Sequence, residues 1–242
     1  MSDSDQPGTV YGDATLALVE SAFAAGAEHV AVLMRHSARE FAPGRHDLLN
    51  PLTDEGRALA RRMGERLPKS ALVRAYASPA ERCMETAALL IAGHEAGGGR
   101  ATRHRAVEAL GVFYVLDQMK MYRSMSEAVA QASSSTPSTL GSFLDRWFDG
   151  AIEQDVMMPA GVAARLVAQV VSAKLEQPVA RPQLDLCVSH DMTLYLLRAE
   201  LLGLRPASAD VGFLDGLVFY ATPDGLTLAA ADGTRTVVSL AI

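Results

Sequence analysis

Apolar positions along the chain fall into two rhythms that take turns. From Thr15 to Ala25 they recur at helical spacing, with Gly26 just beyond as a stop. His29-Val30-Ala31-Val32-Leu33-Met34 is then a short, nearly unbroken apolar run. Continuous rather than alternating burial predicts a central parallel strand covered on both faces. A loop with Pro43-Gly44 and Asn50-Pro51 follows. Thr53 is placed to cap the next helix, with Asp54 and Glu55 in its first turn. Leu59, Met63 and Leu67 fall on one stripe of that helix, at i, i+4 and i+8. Leu72 to Ala77 predicts a second strand. Ser78-Pro79-Ala80-Glu81 behind it has the order of a capping box, serine as N-cap and glutamate at N3, for a helix reaching Ala92.

The alternation resumes after Gly97-Gly98-Gly99 with a third strand expected around Arg103 to Val107. Leu184 to Val188 predicts a fourth, ending in Ser189-His190-Asp191. A helix follows with Leu194, Leu197 and Leu201 on one face and Gly203 as its stop. From Gly216 to Leu240, β-type runs are broken by Pro223-Asp224-Gly225 and Asp232-Gly233, the pattern of antiparallel edge strands. Between residues 111 and 159 the character changes. Methionines and aromatics crowd in, Phe143, Trp147 and Phe148 sit at helical spacing, and Ser133-Ser134-Ser135-Thr136-Pro137 makes a linker. The expected fold is α/β: a three-layer αβα sandwich with a mostly parallel central sheet flanked by helices. One domain spans residues 1–242, with a helical insertion at about 111–159 lying over the active-site edge. No internal repeat is present.

Composition narrows the function classes. With 242 residues, 49% hydrophobic, and a mean hydropathy of +0.12, the chain can bury a sizeable core and does not read as disordered. A formal charge of −6 argues against nucleic acid as a partner, because phosphate backbones reward a basic surface. No run approaches the roughly 18 apolar residues of a membrane span. The polar, acidic stretch from Met1 to Ala14 lacks the order of a secretory signal, so the cytoplasm is the expected compartment and no membrane partner is expected. Cys83 and Cys187 fit neither a disulfide framework nor a zinc site, and are expected as reduced, buried thiols. His29, His46, His94 and His104 show no ligand spacing and read as surface or loop residues. Neither a metal nor a cofactor is expected, and the oligomeric state is not encoded in any pattern found.

In open α/β sheets, ligands bind beyond the carboxyl ends of the strands. Three of the expected strands end in chemistry there: Arg35-His36 after the first, Ser78 with Arg82 one helical turn on after the second, and His190-Asp191 after the fourth. Arginines and helix N-termini offer paired donors and partial positive charge to a phosphate dianion. A neutral imidazole can accept a phosphoryl group if its other nitrogen is held by a hydrogen bond. His36, flanked by Arg35 and Arg39, is the candidate nucleophile, since neighbouring cations keep it unprotonated. The leaving alkoxide needs a proton from a nearby carboxylic acid.

These residues resemble the motifs of the histidine phosphatase superfamily, which includes the cofactor-dependent phosphoglycerate mutases and the histidine acid phosphatases. Arg35-His36-Ser37-Ala38-Arg39 is similar to the family's Arg-His-Gly motif, with Ser37 in place of the glycine. Leu52-Thr53-Asp54-Glu55-Gly56 resembles its Leu-Thr-x-x-Gly helix start. Ser78 to Ala87 resembles its Ser-x-x-x-Arg-x-x-x-Thr-Ala segment, and Ser189-His190-Asp191 its late histidine motif. The resemblance implies a phosphohistidine at His36, with Arg35, Arg39, Arg82 and His190 binding the phosphoryl group. Two carboxylates compete as general acid. Asp191 matches the acid phosphatase branch and is preferred; Glu108 is placed like the carboxylate of the mutase branch. The expected activity is a metal-independent phosphomonoesterase on a small phosphorylated substrate. A phosphomutase, or an inert module that only binds phospholigands, are the alternatives. Tyr114, Met119, Tyr122 and Trp147 are the insertion's candidates for substrate selection.

Overall fold

A computed structural model describes residues 11–42, 49–131, 139–176, 178, 180–206 and 210–239. The Ser133 to Pro137 linker, the Pro43-Gly44 turn and His46 lie outside them. The apolar run after the first helix, α1 (Asp13–Ala24), forms β1 (His29–Arg35) at the heart of an eight-stranded sheet among the described residues. The other strands are β2 (Leu72–Ala77), β3 (Arg100–Ala101), β4 (Arg105–Ala106), β5 (Gln183–Ser189), β6 (Gly216–Thr222), β7 (Gly225–Ala229) and β8 (Arg235–Val237). Their order is β3-β2-β5-β1-β6-β7-β8, with β4 also beside β2. Strands β1 to β5 pair in parallel, whereas β6, β7 and β8 run antiparallel, so β1 has one neighbour of each kind.

The period of a strand divides β1 between two cores. Val30, Val32 and Met34 pack against Leu16 and Val19 of α1, Leu59 and Met63 of α2 (Asp54–Arg66), and Ala87 and Leu90 of α3 (Glu81–Ala96). Ala31 and Leu33 face the opposite layer. It comprises α5 (Thr139–Phe148), α6 (Ala160–Leu175) and α7 (Asp191–Leu202), and Met121 of α4 (Gln118–Gln131) joins the same core. Three layers result, as the sequence pattern implied.

Several local expectations change. The third strand becomes two short edge pieces, β3 and β4, because Arg100 to Ala106 carries no apolar face to bury. Helix α6 has no counterpart in the expected elements: Ala163, Ala164, Val167, Ala168 and Val171 are all buried, but its apolar positions are too dense for a stripe to stand out. Helix α3 starts at Glu81 with Ala80 as N-cap and no side-chain cap, so Ser78 is not its capping residue. Thr53, by contrast, caps α2 as expected, accepting the Gly56 N–H at 2.9 Å. Cys83 and Cys187 are free and buried.

Two of the histidines expected at the periphery are drawn inward, His94 completely and His29 in part. His94 is fully buried, with Nε2 3.3 Å from the Ala71 carbonyl. His29 lies 2.8 Å from Asp185, which also binds Arg74 through two contacts of 2.6 Å. Asp185 is completely buried on β5, and its partners come from β1 and β2 on either side. The network sits toward the amino ends of the parallel strands, away from His36.

Candidate active site

Strands β1, β2 and β5 end side by side. The His36 N–H donates to the Ser189 carbonyl at 3.1 Å, and the Ser78 N–H to that of Val188 at 2.9 Å. Parallel pairing therefore carries His36, Ser78 and His190 to one edge, and Arg82 enters from the first turn of α3.

His36 is 2% exposed. Its Nδ1–H donates to the Ser37 carbonyl at 2.8 Å, which leaves a lone pair on Nε2. Arg82 Nε–H donates to that lone pair at 3.0 Å. Burial, reinforced by Arg82 and then by Arg35 and His190, holds the imidazole well below its ordinary value, against a smaller opposing effect of the Ser37 hydrogen bond. The ring is thus neutral, with one nitrogen anchored and the other directed at a guanidinium. Arg82 also reaches His190, its Nη2 lying 3.3 Å from Nδ1, and the two histidine rings are 5.8 Å apart.

The loop carrying the nucleophile is held by the two other motifs. The Ser37 N–H donates to Thr86 Oγ1 at 3.1 Å, and Thr86 donates back to the Arg82 carbonyl one turn earlier at 2.7 Å. The Arg-x-x-x-Thr spacing places one side chain at the site and the other under its loop. Ser37 Oγ–H donates to the Gly56 carbonyl at 2.7 Å, and the Thr53 N–H to that of Ala38 at 3.1 Å. Helix α2 abuts this loop so closely that a Cβ on Gly56 would come within 2.0 Å of the Ala38 oxygen.

Arg35 is fixed from a direction the sequence did not reveal. Its Nη1–H donates to the Val211 carbonyl at 2.6 Å, its Nη2 lies 3.0 Å from Asp191, and its guanidinium stacks 4.2 Å from the Phe213 ring centre. Its Nε–H is buried without a partner among the described residues. Residues 211–215 form a tight turn in which Leu214, fully buried, takes a left-handed backbone at φ 62°, strained for a side chain of that kind. A cavity of about 300 Å³ lined by Tyr11, Arg35, Asp191, Tyr195, Asp210 and Phe213 opens here.

The structure thus gathers Arg35, His36, Arg82, His190 and Asp191 at one site, Arg82 touching both histidines, Arg35 touching Asp191, and Phe213 beside both Arg35 and His36. Arg39 stands farther out, half-buried, donating to the Glu40 carbonyl at 3.1 Å with the Phe41 ring 5.8 Å away. The two carboxylates differ sharply. Asp191 is engaged at both oxygens, one with Arg35 and the other accepting the Met192 N–H at 2.8 Å. Glu108 is exposed and opens the 3₁₀ turn Glu108–Leu110 just past β4. That turn adjoins the site: a Cβ on Gly111 would lie 3.1 Å from the Glu108 carbonyl and 3.7 Å from Ser78 Oγ. Of the insertion's aromatic and methionine candidates, Tyr114 and Trp147 stack together in the core at 5.1 Å, so neither is a free selector. Met119 and Tyr122 are exposed. Ser78, expected as a helix cap, contributes here instead, and Thr86 and Phe213 are contributors that the sequence does not single out. Ser78 and Thr86 lie inside a recognisable motif; Phe213 carries no signal.

The profile of the histidine phosphatase superfamily (branch 1) matches residues 31–212, three quarters of the chain. The chain belongs to the histidine phosphatase superfamily. Solved structures agree on the fold. YhfR of Bacillus stearothermophilus is 16% identical, with a TM-score of 0.55 over 88% of this chain and 98% of that one. A mycobacterial glucosyl-3-phosphoglycerate phosphatase is 15% identical, with a TM-score of 0.51 over 86% and 96%. The phosphoserine phosphatase of Entamoeba histolytica, solved with 3-phosphoglyceric acid, is 16% identical, with a TM-score of 0.51 over 87% and 95%. No curated protein sequence matches the chain. Among the described residues, no helix of this family member is long and apolar enough to cross a membrane.

Proposed function

We propose that the chain is a phosphomonoesterase that hydrolyses a small phosphorylated substrate through a phosphohistidine at His36. The observation that carries this reading is the state of His36: neutral, anchored through Nδ1, with Nε2 facing Arg82. Nε2 attacks phosphorus while the P–O bond to the alcohol breaks on the opposite side, and water later cleaves the P–N bond. Arg82, Arg35 and His190 surround the phosphoryl oxygens, the unpartnered Arg35 Nε–H adding a ready donor. Arg39 contributes from the entrance. Guanidinium groups supply the charge that a metal would otherwise bring. Two of the similar structures carry the names of phosphatases for small phosphorylated compounds, which is in keeping with this substrate class.

The contacts of the carboxylates shift the choice of acid to Glu108. Asp191 is engaged at both oxygens, by Arg35 at one and by the Met192 N–H at the other, so neither oxygen is free to face a leaving group. Its role in this reading is to hold Arg35. Glu108, exposed at the same edge, protonates the leaving alkoxide.

Rapid alkaline quenching during turnover should leave the phosphoryl group on the peptide containing His36. The His36→Ala protein should hydrolyse no aryl phosphate between about pH 4 and 8, a range spanning carboxylate and imidazole titration. Persistent hydrolysis by that variant overturns the reading. Glu108→Gln should lower kcat on an alkyl phosphate by about 10²–10³-fold, yet by much less on nitrophenyl phosphate, whose leaving group needs no proton. If Asp191→Asn shows that dependence on the leaving group and Glu108→Gln does not, the assignment of the acid reverses.

A further inference from the structure

Ser78 follows the last residue of β2 and stands three residues before α3, where its spacing is that of a helix cap. Its hydroxyl lies instead 2.9 Å from His190 Nε2, and only a long contact of 3.4 Å joins it to the Ala80 N–H. We propose that Ser78 is a positioning residue whose rotating hydroxyl lets His190 reverse its tautomer when a phosphoryl group arrives. The proposal rests on the phosphoryl-binding role given above to His190.

Hydrogen-bond polarity dictates the two states. A guanidinium only donates, so the Arg82 Nη2 contact at 3.3 Å requires a lone pair on His190 Nδ1. The imidazole hydrogen then sits on Nε2 and is donated to Ser78 Oγ. The hydrogen of Ser78 then turns away from Nε2, toward the buried Cys83 thiol, whose sulfur lies 3.9 Å from the same nitrogen. Cys83 stays protonated, its thiol pushed up to about 12 by burial, so it takes no proton from this set.

A phosphoryl group reverses the demand on Nδ1. Its oxygens only accept, and the nitrogen that faces Arg82 and His36 must now carry a hydrogen to bind them. Nε2 is left with a lone pair in a site 5% exposed, where an unmet acceptor is costly. Cys83 Sγ is 3.9 Å away, too far to serve well, whereas Ser78 Oγ is at hydrogen-bond distance and can donate as readily as it accepts. Rotation about its C–O bond swings the hydroxyl hydrogen from the thiol to Nε2. One proton leaves Nε2 and one is taken up at Nδ1 by exchange with water. Neither residue changes charge. A fixed donor or a fixed acceptor at position 78 would serve only one of the two states.

Nitrogen-15 NMR of histidine-labelled protein tests this without turnover. Free protein should show His190 hydrogen-bearing at Nε2, and saturation with inorganic phosphate should move the hydrogen to Nδ1. Ser78→Ala should bind inorganic phosphate about tenfold more weakly, the size of one hydrogen bond, and lose the reversal. Ser78→Thr, which keeps the hydroxyl, should restore both; the wild-type spectra stand even if a variant folds poorly. An unchanged tautomer in the phosphate complex overturns the proposal, as does a doubly protonated ring formed with proton uptake, or wild-type behaviour of Ser78→Ala. If the tautomer reverses but no phosphohistidine forms at His36, the catalytic reading falls and the tautomer proposal stands. A trapped phosphohistidine with no reversal leaves the catalytic reading in place and removes the role given to Ser78.

Discussion

Gly56 lies twenty residues past the nucleophile and belongs to another helix, yet the backbone after His36 is shaped around it. A methyl group there would meet the Ala38 carbonyl at 2.0 Å, and a backbone oxygen already bonded to the Thr53 N–H cannot give way cheaply. Gly56→Ala is therefore expected to cost about 1–3 kcal/mol in urea unfolding. It should also lower kcat, because Ser37, whose carbonyl anchors His36, hangs on the same helix start. Unchanged stability and kcat would mean that the loop and helix separate more easily than their contacts indicate. At His36 itself, burial and the flanking cations predict that the imidazole resonances do not titrate near the ordinary 6.5 but remain those of the neutral ring well into the acid range. A midpoint at or above 6.5 by NMR would remove the basis for a ready nucleophile.

Strands β2, β5 and β1 are tied at their amino ends by side chains as well as by backbone. Asp185, with no exposure, holds Arg74 on one side and His29 on the other, while the reacting groups gather at the far ends of the same strands. Removing only the carboxylate charge leaves the buried Arg74 guanidinium without its counter-charge. Asp185→Asn should thus destabilise by about 3–5 kcal/mol, whereas the double replacement Arg74→Met with Asp185→Leu should return close to wild type. Equal losses in both proteins would point to packing rather than charge. This network also marks where the sequence stops being legible. Strands β1 and β5 stand out because short, mostly apolar runs ahead of a helix have few other readings, and Arg35, His36, Arg82 and His190 can be brought together from strand ends alone. Polarity is less informative. Asp185 sits inside the apolar run of β5 and signals nothing until Arg74 and His29 appear beside it. Ser78 has the local spacing of a helix cap, and nothing in that spacing shows that His190, 112 residues later, competes for its hydroxyl. Helix α6 and the short strands β3 and β4 escape for opposite reasons, one with too many apolar positions to show a face, the others with too few.

Across the whole molecule these groups set how stability should fall with acid, and their windows open at different pH. His36 is depressed in the folded protein, so below its unfolded value of about 6.5 the unfolded chain binds a proton that the native state refuses. Stability declines from that point downward until the folded ring also titrates. Asp185 is lowered by its hydrogen bonds to Arg74 and then His29, which outweigh a large opposing effect of burial. Its contribution is complete above its unfolded value near 3.8 and is lost only as pH falls through the depressed folded value. Urea midpoints of the wild type should therefore begin to fall below about pH 6.5 and fall again below about 3.8. His36→Asn should shrink the first decline to the part owed to His94, whose imidazole burial also lowers, and keep the second. Asp185→Asn should start lower at neutral pH, keep the first decline, and lose the second. Inorganic phosphate should raise the midpoint at neutral pH in the wild type by mass action, and less so when Arg82, which contacts both histidines, is replaced by alanine. A wild-type curve flat between pH 7 and 5 would mean that His36 takes up its proton in the folded protein as easily as in the unfolded one. The nucleophile would then be mostly imidazolium in mild acid, and catalysis there would require the substrate to strip its proton before attack.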